Sequence, residues 1–160
     1  MSLKKNKIHK TAEISPKAKI GKNNFIWNNA QIRENAKIGN NCNISKDVYI
    51  DKNVKIGNNC KIQNACQIYD GVEIRDNVFI GPGVIFTNDY FPRANNKKWK
   101  ICKTIVDSGA SIGANSTILC NIKIGKSAMI AAGSVLTTNA KSNCLYAGNP
   151  AKLKKRIKQK

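Results

Sequence analysis

An isoleucine recurs at every sixth position through the first half of the chain, from Ile8 to Ile80, and Phe86 takes the next position. After a gap, branched aliphatic residues return at the same spacing from Val106 to Leu136. A period of six matches neither the 3.6-residue repeat of an amphipathic helix nor the alternation of a simple strand. Such a repeat is typical of solenoids, in which each unit is buried by its neighbours.

The other positions of the hexad support the same prediction. Small or β-branched residues, mostly Ala, Val and Cys, stand four positions after the isoleucines, and glycine or asparagine is frequent between. Glycine and asparagine tolerate the positive φ angles of tight turns. Each hexad therefore predicts a short strand and a turn, and three hexads make one triangular coil of a parallel β-helix. Aromatic residues are only 6% of the chain, so stacked aliphatic ladders must form the core.

The six cysteines show no CxxC pair and no spacing typical of a zinc site, and no metal is expected. Cys42, Cys60 and Cys66 occupy the small inward position of the hexad, which indicates core packing rather than chemistry. The roles of Cys102, Cys120 and Cys144 stay open.

The formal net charge is +19, and basic residues concentrate in two tails, residues 4–10 and 152–160, whereas all nine acidic residues lie between them. Solvated tails or a phosphate-bearing small molecule explain this pattern better than a nucleic-acid partner. No apolar stretch reaches the length of a membrane span, and residues 1–10 contain no apolar signal segment. A cytoplasmic location, with reduced thiols, is the expectation.

The six-residue period fails between Phe86 and Val106, so residues 87–105 are predicted to leave the coil as a loop. Long loops that interrupt a regular solenoid are usually functional. Asn88, Asp89 and Arg93 are the polar groups predicted to face a substrate.

The whole chain is predicted to be one domain, with coils over 8–86 and 106–141 and a cap over 142–160. Pro150 is expected to end the regular coil. The segment after it is predicted to be a short basic helix, in which Leu153 and Ile157 share one face.

Several motifs are more specific than the hexad. They are Gln-Ile-Tyr-Asp-Gly-Val at 67–72, Asp-Asn-Val-Phe-Ile-Gly-Pro at 76–82, Phe-Thr-Asn-Asp at 86–89 with Phe-Pro-Arg-Ala at 91–94, and Gly-Asn-Pro-Ala at 148–151. With these motifs the chain resembles the hexapeptide-repeat, left-handed β-helix acyltransferases over almost its whole length. More narrowly, it resembles sugar-nucleotide 3-N-acetyltransferases of the dTDP-3-amino-3,6-dideoxyhexose type. The left hand of the coil is implied by the resemblance alone.

The resemblance implies a homotrimer with acetyl-CoA bound in a groove between subunits, beside the later coils. Small residues and backbone N–H groups there would contact the thioester and pantetheine, and basic residues near the chain end would bind the CoA phosphates. The residues assigned to acetyl-CoA are Ala114, Asn115, Ala131, Ala132, Gly133, Lys152, Lys155 and Arg156. Those assigned to the amino sugar or its nucleotide are Gln63, Asn64, Tyr69 and Arg93.

The chain has one histidine, His9, several coils away from the predicted loop. A neutral amine is already a nucleophile, so its acetylation needs positioning and oxyanion support more than a strong base. We therefore expect direct attack of the sugar amine on the thioester, with Asn88 and Asp89 orienting it. Three alternatives stay open: a UDP-linked 3-amino uronate as substrate, O-acetylation on the same fold, and a structural β-helix without chemistry.

Overall fold

The computed structural model describes residues 5–158, which form twenty-two short β-strands and no helix. The predicted basic tails extend to Lys4 and Lys160, which lie outside the described residues. This part of the chain has no helix of the length and apolarity that crossing a membrane requires.

The strands wind into a parallel β-solenoid with three sheets, one on each face of a prism. Sheet A contains β1 (Lys7–Ile8), β4 (Phe25–Ile26), β7 (Asn43–Ile44), β10 (Lys61–Ile62), β13 (Phe79–Ile80), β16 (Ser111–Ile112), β19 (Met129–Ile130), β21 (Cys144–Ala147) and β22 (Lys152–Arg156). Sheet B contains β2 (Glu13–Ile14), β5 (Gln31–Ile32), β8 (Tyr49–Ile50), β11 (Gln67–Ile68), β14 (Ile85–Phe86), β17 (Thr117–Ile118) and β20 (Val135–Leu136). Sheet C contains β3 (Lys19–Ile20), β6 (Lys37–Ile38), β9 (Lys55–Ile56), β12 (Val72–Ile74), β15 (Thr104–Val106) and β18 (Lys123–Ile124).

The predicted solenoid and its aliphatic core are confirmed. Along sheet B, Ile32 pairs with Ile50 and Ile50 pairs with Ile68, so identical hexad positions stack from coil to coil. These side chains are fully buried, because each has a large apolar side chain above and below it. Ile8 in the first coil is 48% exposed, since no described coil lies beneath it. The left hand of the coil stays a prediction from the resemblance.

Asparagines supply the turns, as predicted. Asn23, Asn41, Asn59 and Asn77 have φ angles between 56° and 59° and stack one above another. Their side-chain amides form a ladder, with Nδ2 to Oδ1 distances of 2.6, 3.2 and 3.2 Å. The same residue type thus satisfies both the turn geometry and the bonds between turns.

The turns form three corners, and two of them position the candidate site. The first corner links sheet A strands to sheet B strands, and the second corner links sheet B strands to sheet C strands. The long loop leaves the second corner after Phe86 and returns at Thr104, so it spans 87–103. The last two residues of the predicted loop belong to β15, because Thr104 and Ile105 pair with β12.

The prediction of a short C-terminal helix is wrong, because β22 (Lys152–Arg156) is an antiparallel partner of β21 (Cys144–Ala147). Sheet A ends with the open edge of β21, whose backbone groups need partners that a strand supplies. A helix this short is marginal by itself, and Leu153 is 50% exposed, so no buried apolar face would support one. The chain end caps the solenoid as a strand.

Candidate active site

The loop is tied at both ends to neighbouring coils. The Thr87 amide donates to the Ile118 carbonyl at 2.9 Å, and the Thr87 hydroxyl accepts from the Cys120 amide at 2.9 Å. At the other end, the Thr104 amide donates to the Gly71 carbonyl at 3.0 Å. The base of the loop is therefore fixed, whereas its middle is exposed.

Gly71 makes room for the returning chain. Its φ is +96°, and a Cβ there would lie 2.5 Å from Ile101 Cγ2 and 2.9 Å from the Cys102 carbonyl oxygen. Any other residue would meet both a conformational penalty and backbone overlap. The glycine of the 67–72 motif is thus explained by the return of the loop.

Asn88 and Asp89 are the first residues of the loop beyond Thr87, and both are half-buried. The Asn88 carbonyl accepts from the Cys102 amide at 3.5 Å, and its side-chain amide has no hydrogen bond within residues 5–158. The Asp89 carboxylate accepts from the Phe91 amide at 3.0 Å. Asn88 thus offers a free amide, whereas Asp89 stabilises the first turn of the loop.

A buried carboxylate at this corner was missed by the sequence interpretation. Asp70 is only 5% exposed and lies one coil below Asn88, because Gln67 pairs with Ile85 three positions earlier. Its Oδ2 accepts from Asn53 Nδ2 at 3.0 Å. Counting eighteen residues back from Asn88 would have identified it.

Beside Asp70, a groove of about 390 Å³ opens at the base of the loop. Asn53, Lys55, Glu73 and Lys103 contribute its polar lining, and Ile101 is among its apolar residues. Two carboxylates and two lysines therefore line a cleft beside the returning arm of the loop.

Tyr69 lies on the same corner and packs against Tyr49, with ring centroids 5.7 Å apart. The Tyr49 hydroxyl donates to Asp51 Oδ1 at 3.0 Å. Burial and, after it, this carboxylate raise the pKa of Tyr49. Of the predicted substrate residues, the second corner thus combines Tyr69, Asn88 and Asp89.

The first corner contains two sets of predicted residues. One set, in the later coils, was predicted to contact acetyl-CoA, and the other consists of two residues predicted to contact the sugar. They occupy equivalent turns of successive coils: Gln63, Asn64, Ala114, Asn115, Ala131, Ala132 and Gly133. Hydrogen bonds of 2.8 Å connect these turns, including Gly83 amide to Asn64 carbonyl and Gly133 amide to Ala114 carbonyl. Gly133 has a φ of +67° and open space where a Cβ would lie. The backbone at this turn is accessible to a ligand.

The first corner and the second corner are one hexad apart along the chain. Six residues of extended chain span at most about 20 Å. A single chain therefore holds the two residue sets on different edges of the prism. Arg93 is exposed, and its Nη1 donates to the neighbouring Pro92 carbonyl at 2.8 Å, so it does not join either set.

The predicted phosphate-binding residues Lys152, Lys155 and Arg156 are exposed on β22. The turn before this strand packs on the last turn of the first corner. The Val135 amide donates to the Gly148 carbonyl at 3.0 Å, and the Ala151 amide donates to the Val135 carbonyl at 2.8 Å. The basic strand thus adjoins the corner assigned to acetyl-CoA.

His9 lies on the first corner, four coils before the coil that carries the loop. At about 4.8 Å per coil, this is roughly 19 Å along the solenoid axis. Its Nδ1 is 3.0 Å from the Thr11 hydroxyl, and the residue is exposed. His9 therefore has no contact with Asn88 within one chain.

Two family models match separate parts of the chain. The GMPPB C-terminal domain matches residues 28–91, and the hexapeptide repeat of succinyl-transferase matches residues 103–138. The period and the fold define the chain as a β-solenoid built from six-residue repeats, and the second match covers part of that repeat.

Within that class, the chain is similar to a sugar-nucleotide acetyltransferase. It is 52% identical over 52 residues to dTDP-3-amino-3,6-dideoxy-alpha-D-galactopyranose 3-N-acetyltransferase of Aneurinibacillus thermoaerophilus, and the match covers 32% of this chain and 27% of that enzyme. The chain spans at most about a third of the curated relatives it matches.

Two solved structures share the fold over 96% of this chain. GDP-perosamine N-acetyl transferase from Caulobacter crescentus, a point mutant in complex with CoA and GDP-perosamine, has a TM-score of 0.68 at 18% identity and is covered over 58% of its length. The N-acyltransferase AntD from Bacillus cereus, a point mutant in complex with dTDP and coenzyme A, has a TM-score of 0.61 at 24% identity and is covered over 83%.

Proposed function

We propose that this protein transfers the acetyl group of acetyl-CoA to the 3-amino group of a nucleotide-linked amino sugar, a dTDP-3-amino-3,6-dideoxyhexose. The observation that carries the proposal is the free amide of half-buried Asn88, above the buried carboxylate of Asp70, at the base of the long loop. The similarity to the Aneurinibacillus enzyme supports the substrate class.

Acetyl-CoA would bind along the first corner. The Ala132 amide has no hydrogen-bond partner within residues 5–158, and it is flanked by the small residues Ala131 and Gly133. A free backbone N–H of this kind is suited to stabilise an oxyanion. Lys152, Lys155 and Arg156 on the adjoining strand would bind the phosphates of CoA, because cationic side chains form strong hydrogen bonds with anionic phosphate oxygens.

The active protein would be a homotrimer. One chain keeps the first and second corners on different edges, whereas a neighbouring chain can place its first corner against the loop base. A closed cyclic assembly of three prisms repeats this contact three times.

In the proposed reaction, the sugar amine attacks the thioester carbonyl carbon, a C–N bond forms and the C–S bond breaks. The departing CoA sulfur accepts the proton released by the amine. The Asn88 amide would orient the amine, and Asp89 would stabilise the loop conformation by accepting a hydrogen bond from the Phe91 amide. Gln63, Asn64 and Tyr69 would contact the sugar or nucleotide, and Arg93 would reach the pyrophosphate from the exposed loop.

The rival is O-acetylation, for which an alcohol must lose a proton to a base. His9 would be the histidine base, and its distance of about 19 Å along the axis from the loop argues against that role.

A thiol-release assay with acetyl-CoA tests the proposal against dTDP- and UDP-linked 3-amino sugars and their 3-hydroxy analogues. We expect turnover with the dTDP amino sugar and none with the hydroxy analogue. Turnover of the hydroxy sugar would favour the rival, and faster turnover of the UDP-linked uronate would replace the nucleotide assigned here. Absence of acetyl-CoA binding in calorimetry would favour a structural β-helix.

Two variants test the residue roles. Asn88→Ala is expected to lower kcat about 10²-fold, as the loss of a positioning or oxyanion group does. His9→Asn is the matched control, with unchanged kcat. A large loss in His9→Asn, or full activity in Asn88→Ala, would contradict the mechanism.

A further inference from the structure

Two cysteines outside the core ladder meet at the base of the loop. Cys120 lies one coil above Asn88, because Phe86 pairs with Ile118 two positions earlier. Cys102 is on the returning arm of the loop, and its amide donates to the Asn88 carbonyl at 3.5 Å. Ile105 pairs with Lys123 three positions after each cysteine, so the register places Cys102 one coil below Cys120.

A side-chain contact with Cys102 raises the pKa of Cys120, after the larger effect of burial. Adjacent coils are about 4.8 Å apart, within the range of Cα separations that a disulfide spans. Both cysteines are free in this structure.

Access distinguishes this pair from the other stacked pair. Cys42 and Cys60 are 1% and 0% exposed, and their thiols donate to the Gly57 and Arg75 carbonyls at 3.1 Å each. Cys102 is partly exposed on the returning arm of the loop, whereas Cys120 is only 2% exposed beside it. This is the arrangement of an attacking thiol and a resolving thiol.

We propose that Cys102 and Cys120 form a reversible oxidation site for low-molecular-weight disulfides of the glutathione class. The Cys102 thiolate attacks the disulfide, whose S–S bond breaks to release one glutathione and leave a mixed disulfide. The Cys120 thiolate then attacks the Cys102 sulfur and releases the second glutathione. Two protein thiols are oxidised, one glutathione disulfide is reduced, and both protons end on glutathione.

The new bond would cross-link the returning arm of the loop to the coil above Asn88. It closes a ring from residue 102 to residue 120, and it leaves the core ladder unchanged. The proposal concerns the chemistry of the two thiols, so it does not depend on the acetyltransferase assignment.

The test incubates the full chain with oxidised glutathione under native conditions and then alkylates, digests and maps the peptides. We expect a cross-linked peptide containing Cys102 and Cys120, a mass lower by two hydrogens, and loss of two of the six titratable thiols in denaturant. Dithiothreitol should restore all six.

Two variants define the order of reaction. Cys120→Ser should stop at a stable glutathione adduct on Cys102, and Cys102→Ser should lose no thiols in the same time. If Cys120→Ser does not fold, the wild-type peptide map decides alone. A persistent adduct without the cross-link, a cross-link between Cys42 and Cys60, or no reaction would each overturn the proposal.

Discussion

A residue's role in this chain follows from its position within the hexad. Cys66 stands in the small inward position, between Val48 one coil below and Val84 one coil above, and it is fully buried. Cys102 stands on the loop and is half-exposed. The same residue type therefore belongs to the buried core at Cys66 and is partly exposed to solvent at Cys102. Asp70 and Asp89 differ in the same way, since one is buried beneath Asn88 and the other bonds to a turn amide of the loop.

Burial raises the pKa of Cys66 to about 11, and this shift predicts a loss of stability in alkali. The folded state holds the proton more tightly than the unfolded chain, whose thiol pKa is about 8.5. The contribution is complete below that value and is lost as the pH rises through the folded pKa. Between pH 8 and 11, this loss lowers the free energy of unfolding by about 2–3 kcal/mol.

The variant Cys66→Val should remove this part of the pH dependence, because valine fills the equivalent positions above and below. The measurement is the free energy of unfolding in urea at several pH values. Cys102→Val is the matched control and should keep the wild-type slope. Equal slopes in wild type and Cys66→Val would show that the buried thiol does not titrate.

At the scale of elements, the loop and the last strand depend on what the coils leave open. β15 pairs with β12 only where Gly71 lets the returning arm approach. β22 forms because β21 presents an unpaired edge. The spacing of Leu153 and Ile157 predicted a helix there, and the edge of the sheet overrides this weak local signal.

Gly71→Ala should therefore displace the returning arm. The positive φ and the overlap with Ile101 and the Cys102 carbonyl should together cost about 2–4 kcal/mol in the free energy of unfolding. Trypsin should cut the exposed loop faster at Lys97, Lys98 and Lys100. Gly133→Ala is the control with open space around the added carbon, and it should lose only about 1–2 kcal/mol. Equal losses in the two variants would refute the steric explanation.

At the scale of the whole molecule, stability is a sum over coils and the contacts between adjacent coils. Central coils are covered on both sides, whereas the first described coil has a neighbour on one side only. Ile68 is fully buried, and Ile14 in the first coil is partly exposed.

Ile68→Ala should thus destabilise the protein by about 2–5 kcal/mol, because it leaves a cavity in the middle of the ladder. Ile14→Ala removes the same atoms at the open end and should cost distinctly less. Urea unfolding of both variants measures the difference. A larger loss at Ile14 would mean that the first coil limits the stability of the molecule.

The amino-acid sequence by itself determined the coil, the aliphatic ladder, the asparagine turns and the start of the loop at Thr87. These follow from a local period, since each hexad makes the same contacts with the hexads eighteen residues away. The sequence also singled out Asn88, because it stands at the break in that period, whereas Tyr69 was predicted from the family resemblance.

Only the tertiary structure decided which groups meet around the loop base. Cys102 beside Cys120 and the strand that pairs with β21 both depend on where the loop returns and which backbone edge stays unpaired. A period describes what repeats, and these contacts arise where the repeat is interrupted or ends.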